Sequence, residues 1–139
     1  MAGSLTNIGE ELMLNLVFRS TGTAPTNIYL GLATNDVSTE TLEDTSVFAD
    51  VIEEDDAGYI KQEVIFNAPT QVSGKATIDN NADLEFGPWS ADADSAITYA
   101  FLVDNNDNLL GIFELPSVKQ PVTGESILVS AGNCVFDLD

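Results

Sequence analysis

The sequence contains no histidine, and its 139 residues include a single cysteine and four basic residues. Histidine is the commonest general base and a usual zinc ligand, so its absence excludes a Ser-His-Asp triad and a histidine-based zinc site. Cys134 alone forms no intrachain disulfide and no cysteine cluster. We therefore expect a protein that is not an enzyme and that uses no cofactor.

Positive charge is equally scarce. Against 23 acidic residues, the four basic ones leave a net charge of −19. Such a field opposes the approach of phosphate backbones and anionic lipids, so we expect neither nucleic acid nor a membrane as partner. The chain has no apolar run of membrane-spanning length and no secretion signal, which indicates synthesis in the cytoplasm.

One helix is predicted near the N-terminus, over residues 7–19, by apolar residues at helical spacing. Asn7 and Glu10 have the spacing of a capping box. The stripe consists of Leu5, Ile8, Leu12 and Leu16. Further apolar residues widen it: Met13, Leu14, Val17 and Phe18. We therefore expect this amphipathic helix to be covered on two sides, by a sheet or by a neighbouring subunit.

The remaining chain has the pattern of short β-strands separated by Gly, Asn, Asp or Pro. The whole sequence contains enough hydrophobic and aromatic residues for one core, which predicts a single domain of residues 1–139. The fold class expected is mainly β, an antiparallel β-sandwich of about eight short strands over residues 27–138 with one N-terminal helix. The expected strands are 27–34, 59–66, 75–78, 82–86, 97–104, 109–115, 125–130 and 133–138. Gly31 interrupts the first, which indicates a close backbone approach.

A long irregular connection over residues 35–58 carries acidic residues and no basic one. Acidic runs are most often solvated surface, and that interpretation needs no function. The alternative rests on the apolar residues among the acids, which could anchor the loop on another subunit: Val47, Phe48, Val51 and Ile52.

The segment "VDNNDNL", residues 103–109, resembles the start of a calcium loop, with Asp104 and Asp107 as the candidate ligands. The match to an EF-hand fails because Leu109 stands where the loop needs glycine, and the flanks have strand patterns. Asn and Asp tolerate left-handed backbone and make turns, so a β-hairpin is favoured over a metal site. Both carboxylates are then expected at its exposed end, where replacement by Asn costs little stability.

The order of these segments resembles a known family. It runs "NIYLGLAT", "GYIKQEVIFNAP", "NNADLEFGPW", "ITYAFLVDNNDNLLGIFELP" and "PVTGESILVSAGNCVFDLD". In this order and in its turns the chain is similar to small virion proteins of tailed bacteriophages, known as tail-fibre or capsid-decoration proteins. The resemblance implies a structural protein of the virion, made in the host cytoplasm, that contacts the major capsid protein or other virion proteins. A homo-oligomer is also compatible with it.

Three functions are compatible with the sequence. The first is a capsid decoration protein on the outside of the head. The second is a tail-fibre or tail-adaptor domain that contacts the host, for which Tyr59, Trp89 and Tyr99 would be sugar-stacking candidates if exposed. The third is a calcium-dependent binding module. For the first two, the candidate partner-binding residues are Leu12, Leu16, Phe18, Phe48, Val51 and Ile52.

Overall fold

A computed structural model describes residues 2–138 of the chain. The helix α1 spans Asn7–Leu14 and continues as a π-helical turn over Asn15–Arg19. None of the described helices is both long and apolar enough to cross a membrane. The described residues form ten strands: β1 (Ala2–Leu5), β2 (Ile28–Ala33), β3 (Gln62–Glu63), β4 (Thr70–Val72), β5 (Lys75–Asp79), β6 (Leu84–Phe86), β7 (Ile97–Asp104), β8 (Leu109–Lys119), β9 (Ile127–Val129) and β10 (Val135–Leu138).

Eight strands form one mixed sheet in the order β3-β2-β7-β8-β1-β10-β5-β4, and β6 pairs with β9 in a second, two-stranded sheet. The strand β1 joins the two halves of the large sheet, because Ser4 and Leu5 pair antiparallel with β8 while Ala2 and Gly3 pair parallel with β10. The prediction of a mainly β fold with one N-terminal helix is confirmed. The parallel pairing of β1 with β10 is the feature that an all-antiparallel arrangement lacks.

The helix begins at Asn7, as predicted, but its N-cap lies one residue earlier than expected. Thr6 is the N-cap: its side-chain oxygen accepts a hydrogen bond from the Gly9 N–H at 3.1 Å, and its hydroxyl donates to the Leu109 carbonyl. Its own N–H donates to the Leu110 carbonyl at 3.0 Å. The proposed Asn7 cap is therefore wrong. A buried threonine both starts the helix and ties it to β8.

The strand β7 is buried along its entire length. It lies between β2 and β8, at the centre of the part of the large sheet formed by β3, β2, β7, β8 and β1. Gly31 of β2 pairs directly with Phe101 of β7. A Cβ atom on Gly31 would lie 2.3 Å from the Phe101 ring, so a larger residue there would displace the ring. The close approach expected at this glycine is confirmed.

The two sides of the central strands β2, β7 and β8 carry separate apolar clusters, because successive side chains of a strand point to opposite faces. The helix-side cluster lies beneath α1, β6 and β10 and includes Leu102, Phe113 and Phe136. The loop-side cluster includes Phe101 and Ile112 and is covered by the acidic loop. A bulge in β8 shifts the register between Leu102 and Val103 of β7, and Leu110 therefore joins the helix-side cluster although Ile112, two residues later, joins the loop-side cluster.

The predicted strand over residues 59–66 is largely wrong. Only Gln62–Glu63 pairs with β2, at the end of the sheet order, while Ile60 and Ile65 are 71% and 62% exposed. End strands of sheets are commonly short, which restricts pairing with other chains. The strands β1 and β4 were not predicted, because β1 is four residues long and all three residues of β4 are exposed.

Candidate interaction surfaces

The C-terminal end of the helix carries the most exposed apolar group on the described chain. Leu14 is 56% exposed, Val17 71% and Phe18 79%. Residues three and four positions apart on a helix lie side by side, so these three form one surface, here called the helix-end patch. Arg19 beside it donates to the Asn15 side chain at 2.9 Å. The sheet does not cover this side of the helix within the described residues, so the expected cover by a neighbouring subunit stays a prediction.

Leu12 and Leu16, predicted as partner-binding residues together with Phe18, do not lie on that patch. Both are partly buried and line an apolar cavity of about 180 Å³ between the helix and the sheet. Leu102 and Phe136 form part of its opposite wall. The structure therefore separates Phe18, which faces outward, from the two leucines, which hold the helix on the sheet.

The apolar residues predicted as an anchor in the acidic loop likewise differ in their exposure. Phe48 and Val51 are partly buried and pack on the loop-side cluster, with the Phe48 ring 5.8 Å from that of Phe101. The Lys61 side chain lies over the Phe48 ring, with its ammonium nitrogen 5.5 Å from the ring centre. Ile52 is 43% exposed. Packing within the chain accounts for Phe48 and Val51, which leaves Val47, 42% exposed, and Ile52 as the exposed members of the predicted anchor.

The acidic loop is held by a buried amide. Asn35 is 1% exposed, and its side-chain nitrogen donates to the carbonyls of Glu40 and Asp50 at 3.2 and 2.8 Å. Its side-chain oxygen accepts from the Ile52 N–H at 2.8 Å. One side chain thereby joins three points of the loop. No periodic pattern of residues predicts this role, because the bonds depend on the path of the backbone.

The hairpin predicted over residues 103–109 is confirmed, with β7 and β8 as its strands. Asp107 has a left-handed backbone, with φ of 61°. Asp104 is only 3% exposed, so its expected position at an exposed end is wrong. Its carboxylate accepts hydrogen bonds from the N–H groups of Asn106 and Asn108 at 2.8 and 2.9 Å and from the Asn108 side chain at 2.9 Å. These bonds close the turn.

The aromatic residues considered for sugar stacking belong to the interior. Trp89 and Tyr99 are each 1% exposed. Tyr59 is partly buried, with its ring stacked on that of Phe86 at 6.1 Å. Burial raises the pKa of the Tyr59 phenol, which accepts from the Leu32 N–H and donates to Glu53. None of the three offers an open ring face for a sugar.

One buried acid was missed by the sequence prediction. Glu54, in the middle of the acidic loop, is 3% exposed. Burial raises the pKa of its carboxyl, and the nearby carboxylate of Asp56 adds to that rise. Nothing in the local sequence distinguishes Glu54 from its exposed acidic neighbours, since its burial follows from the way the loop returns to β2.

These surfaces define a class of protein: a mainly β module with an uncovered apolar helix end and a strongly acidic sequence, which is typical of a protein that binds other proteins. Residues 4–137 match the model of the family described as podophage GP4 fiber I protein gp80. The match covers nearly the whole chain, and the chain belongs to this family. A search of curated proteins found no match.

The family consists of phage fibre proteins, so the chain is a structural component of the virion and has other virion proteins as partners. The resemblance to virion proteins of tailed phages is thereby confirmed. Of the functions inferred from the sequence, the family supports the fibre better than the capsid decoration protein.

Proposed function

We propose that the protein is a fibre component of a tailed-phage virion and that it attaches to a neighbouring virion protein through the helix-end patch. The observation that carries the attachment site is the exposure of Leu14, Val17 and Phe18 within five residues at the end of the helix. Contiguous apolar surface of this kind is usually covered by another protein. Membership of a fibre family supplies the class of partner.

The geometry favours attachment by the helix end over attachment by the acidic loop. Phe18 is 79% exposed, whereas Phe48 packs against its own sheet. Burial of a large apolar side chain contributes about 1.5–3 kcal/mol relative to leaving it exposed, and Phe18 has most of that burial still to gain. The exposed acidic residues elsewhere stay solvated and keep particles apart by repulsion.

Incorporation into particles tests this proposal. Phage particles would be produced with wild-type protein, with Phe18→Ser or with Ile60→Ser as the matched control, since Ile60 is 71% exposed on a different element. We expect Phe18→Ser to reduce the amount of protein in purified virions by about tenfold or more, as loss of an interface anchor does. Ile60→Ser should incorporate normally.

Equal incorporation of both variants would contradict the proposed attachment site, provided that both purified proteins melt at the wild-type temperature. A solution dimer of the wild-type protein that Phe18→Ser dissociates would also contradict it, because the patch would then belong to a second copy of the chain. Light scattering of the purified proteins separates these outcomes.

A further inference from the structure

Three consecutive carboxylates converge where the acidic loop returns to the sheet. One oxygen each from Glu54, Asp55 and Asp56 lies within 4.8 Å of the other two. Asp55 is exposed and Asp56 is half-buried, while Glu54 is 3% exposed. Like charges at this distance repel, and the repulsion grows as water is excluded. A positive charge at this position, supplied by a bound cation or by a proton on Glu54, would relieve the repulsion.

The buried carboxylate has an oxygen without a partner. Oε1 of Glu54 accepts a hydrogen bond from the Asp56 N–H at 2.7 Å. Oε2 is enclosed and has no hydrogen-bond partner within residues 2–138. Leaving a buried carboxylate oxygen unpaired is costly. Lys61, the basic residue nearest in sequence, forms its ion pair with Glu53, at 3.4 Å.

The segment that carries these acids is held at several points. Asp56 accepts at its side chain from the Asp94 N–H at 2.8 Å, which fixes the direction of that carboxylate. The backbone bonds are Glu54 N–H to the Leu32 carbonyl, Tyr59 N–H to the Asp56 carbonyl and Ser90 N–H to the Ala57 carbonyl, at 2.8, 3.1 and 2.8 Å. A site fixed in this way needs little rearrangement to hold an ion.

We propose that Glu54, Asp55 and Asp56 form a calcium site, with Oε2 of Glu54 as its buried ligand and water in the remaining positions. Calcium is a hard cation that takes six to eight oxygen ligands in flexible geometry. Magnesium demands a near-ideal octahedron, and zinc prefers nitrogen and sulfur ligands that this turn does not offer. The bound ion would hold the three carboxylates together at the point where the acidic loop returns to β2.

Thermal unfolding of the full chain with calcium or with a chelator, at constant ionic strength, gives the first test. A ligand that binds only the folded state raises stability, and calcium at about 100 times its Kd should raise the melting temperature by roughly 10 °C. Magnesium at the same concentration should give a smaller rise. A melting temperature that calcium leaves unchanged overturns the proposal.

Matched variants locate the effect. Glu54→Gln keeps the side-chain shape and removes the charge, whereas Glu43→Gln removes one charge from an exposed position of the same loop. We expect Glu54→Gln to lose the calcium-induced shift and to melt in chelator at or above the wild-type temperature, because a buried carboxylate is removed. Glu43→Gln should retain the full shift. An equal shift in both variants overturns the site, since it would show only screening of the chain's −19 charge.

Terbium luminescence provides a readout that does not depend on unfolding. Trp89 is the only tryptophan, and its ring lies 6.4 Å from that of Tyr59, three residues after Asp56. Terbium held by the three carboxylates should therefore emit when the indole is excited, and calcium should displace it. Emission that persists in Glu54→Gln would place the ion elsewhere and contradict the proposal.

Discussion

The two faces of the central strands β2, β7 and β8 are covered in different ways. On the helix-side face, helices and strands carry most of the apolar side chains, and aromatic rings pack closely, with Phe113 and Phe136 at 4.7 Å between centroids. On the loop-side face, the cover is the acidic loop, fastened by the hydrogen bonds of Asn35 and by a few apolar contacts. The comparison indicates that the helix-side face is the core, which opens only when the whole protein unfolds. The cover on the loop-side face opens locally.

The largest effect is expected from Phe113→Ala on the helix-side face. Phe113 is 1% exposed and packs edge-on against Phe136. Loss of a buried phenyl ring leaves a cavity as well as lost contacts, so the free energy of unfolding should fall by about 3–5 kcal/mol. Urea unfolding followed by circular dichroism measures it. A loss below about 1 kcal/mol would contradict the role of this face as the global core.

A smaller and local effect is expected from Asn35→Ala on the loop-side face. The change leaves the carbonyls of Glu40 and Asp50 and the N–H of Ile52 without their side-chain partner. We expect a loss of about 2–3 kcal/mol, with faster hydrogen exchange confined to the loop. Exposed Asn81→Ala is the control. Exchange that accelerates equally in β7 and β10 would show that the two faces do not open separately.

The two acids of the hairpin that connects β7 to β8 are expected to differ in their effect on stability. Asp104→Asn should cost about 1 kcal/mol, because a side-chain amide replaces the carboxylate oxygen that accepts from Asn108. Asp107→Asn should change stability by less than about 0.5 kcal/mol, since Asn also tolerates left-handed backbone. Chemical denaturation in chelator compares them. Equal effects would contradict the structural difference between the two acids.

Cys134 tests the same comparison through its reactivity, because it lies in the helix-side cluster and is 0% exposed. Burial raises the pKa of its thiol to about 12, from 9.0. Because the folded state holds this proton to higher pH, the thiol favours folding below pH 9.0 and that contribution is lost as the pH rises toward about 12.

Thiol labelling of Cys134 near pH 8 checks the comparison of the faces directly. Labelling should require opening of the helix-side core, so Asn35→Ala should leave its rate near that of the wild type. Phe113→Ala should accelerate it. Rapid labelling of the native wild-type protein would contradict the burial of the thiol.

Much of the β architecture could be predicted because its signals are local. Alternating or continuous apolar runs identified β2, β7 and β8, and turn residues identified the hairpin. Gly31 was interpreted correctly, since a glycine within a strand commonly marks a close approach. These features depend on residues that are near one another in sequence or on the two-residue period of a strand.

The features that could not be predicted depend on long-range geometry. The parallel pairing of β1 with β10 joins the two ends of the chain, and a four-residue strand carries little pattern of its own. Asp104 and Glu54 have the same local composition as exposed acids, and only the folded path buries them. The helix-end patch was predicted only in part. The apolar stripe of the helix indicated extra apolar residues, but it did not indicate which of them the sheet leaves uncovered.

The most direct test of the fibre assignment and of the helix-end patch is an electron cryo-microscopy map of the virion at side-chain resolution. We expect the ten-stranded chain within a fibre, with Leu14, Val17 and Phe18 covered by a neighbouring virion protein. A chain seated on the head shell, or a helix-end patch that faces solvent in the assembled fibre, would contradict the account.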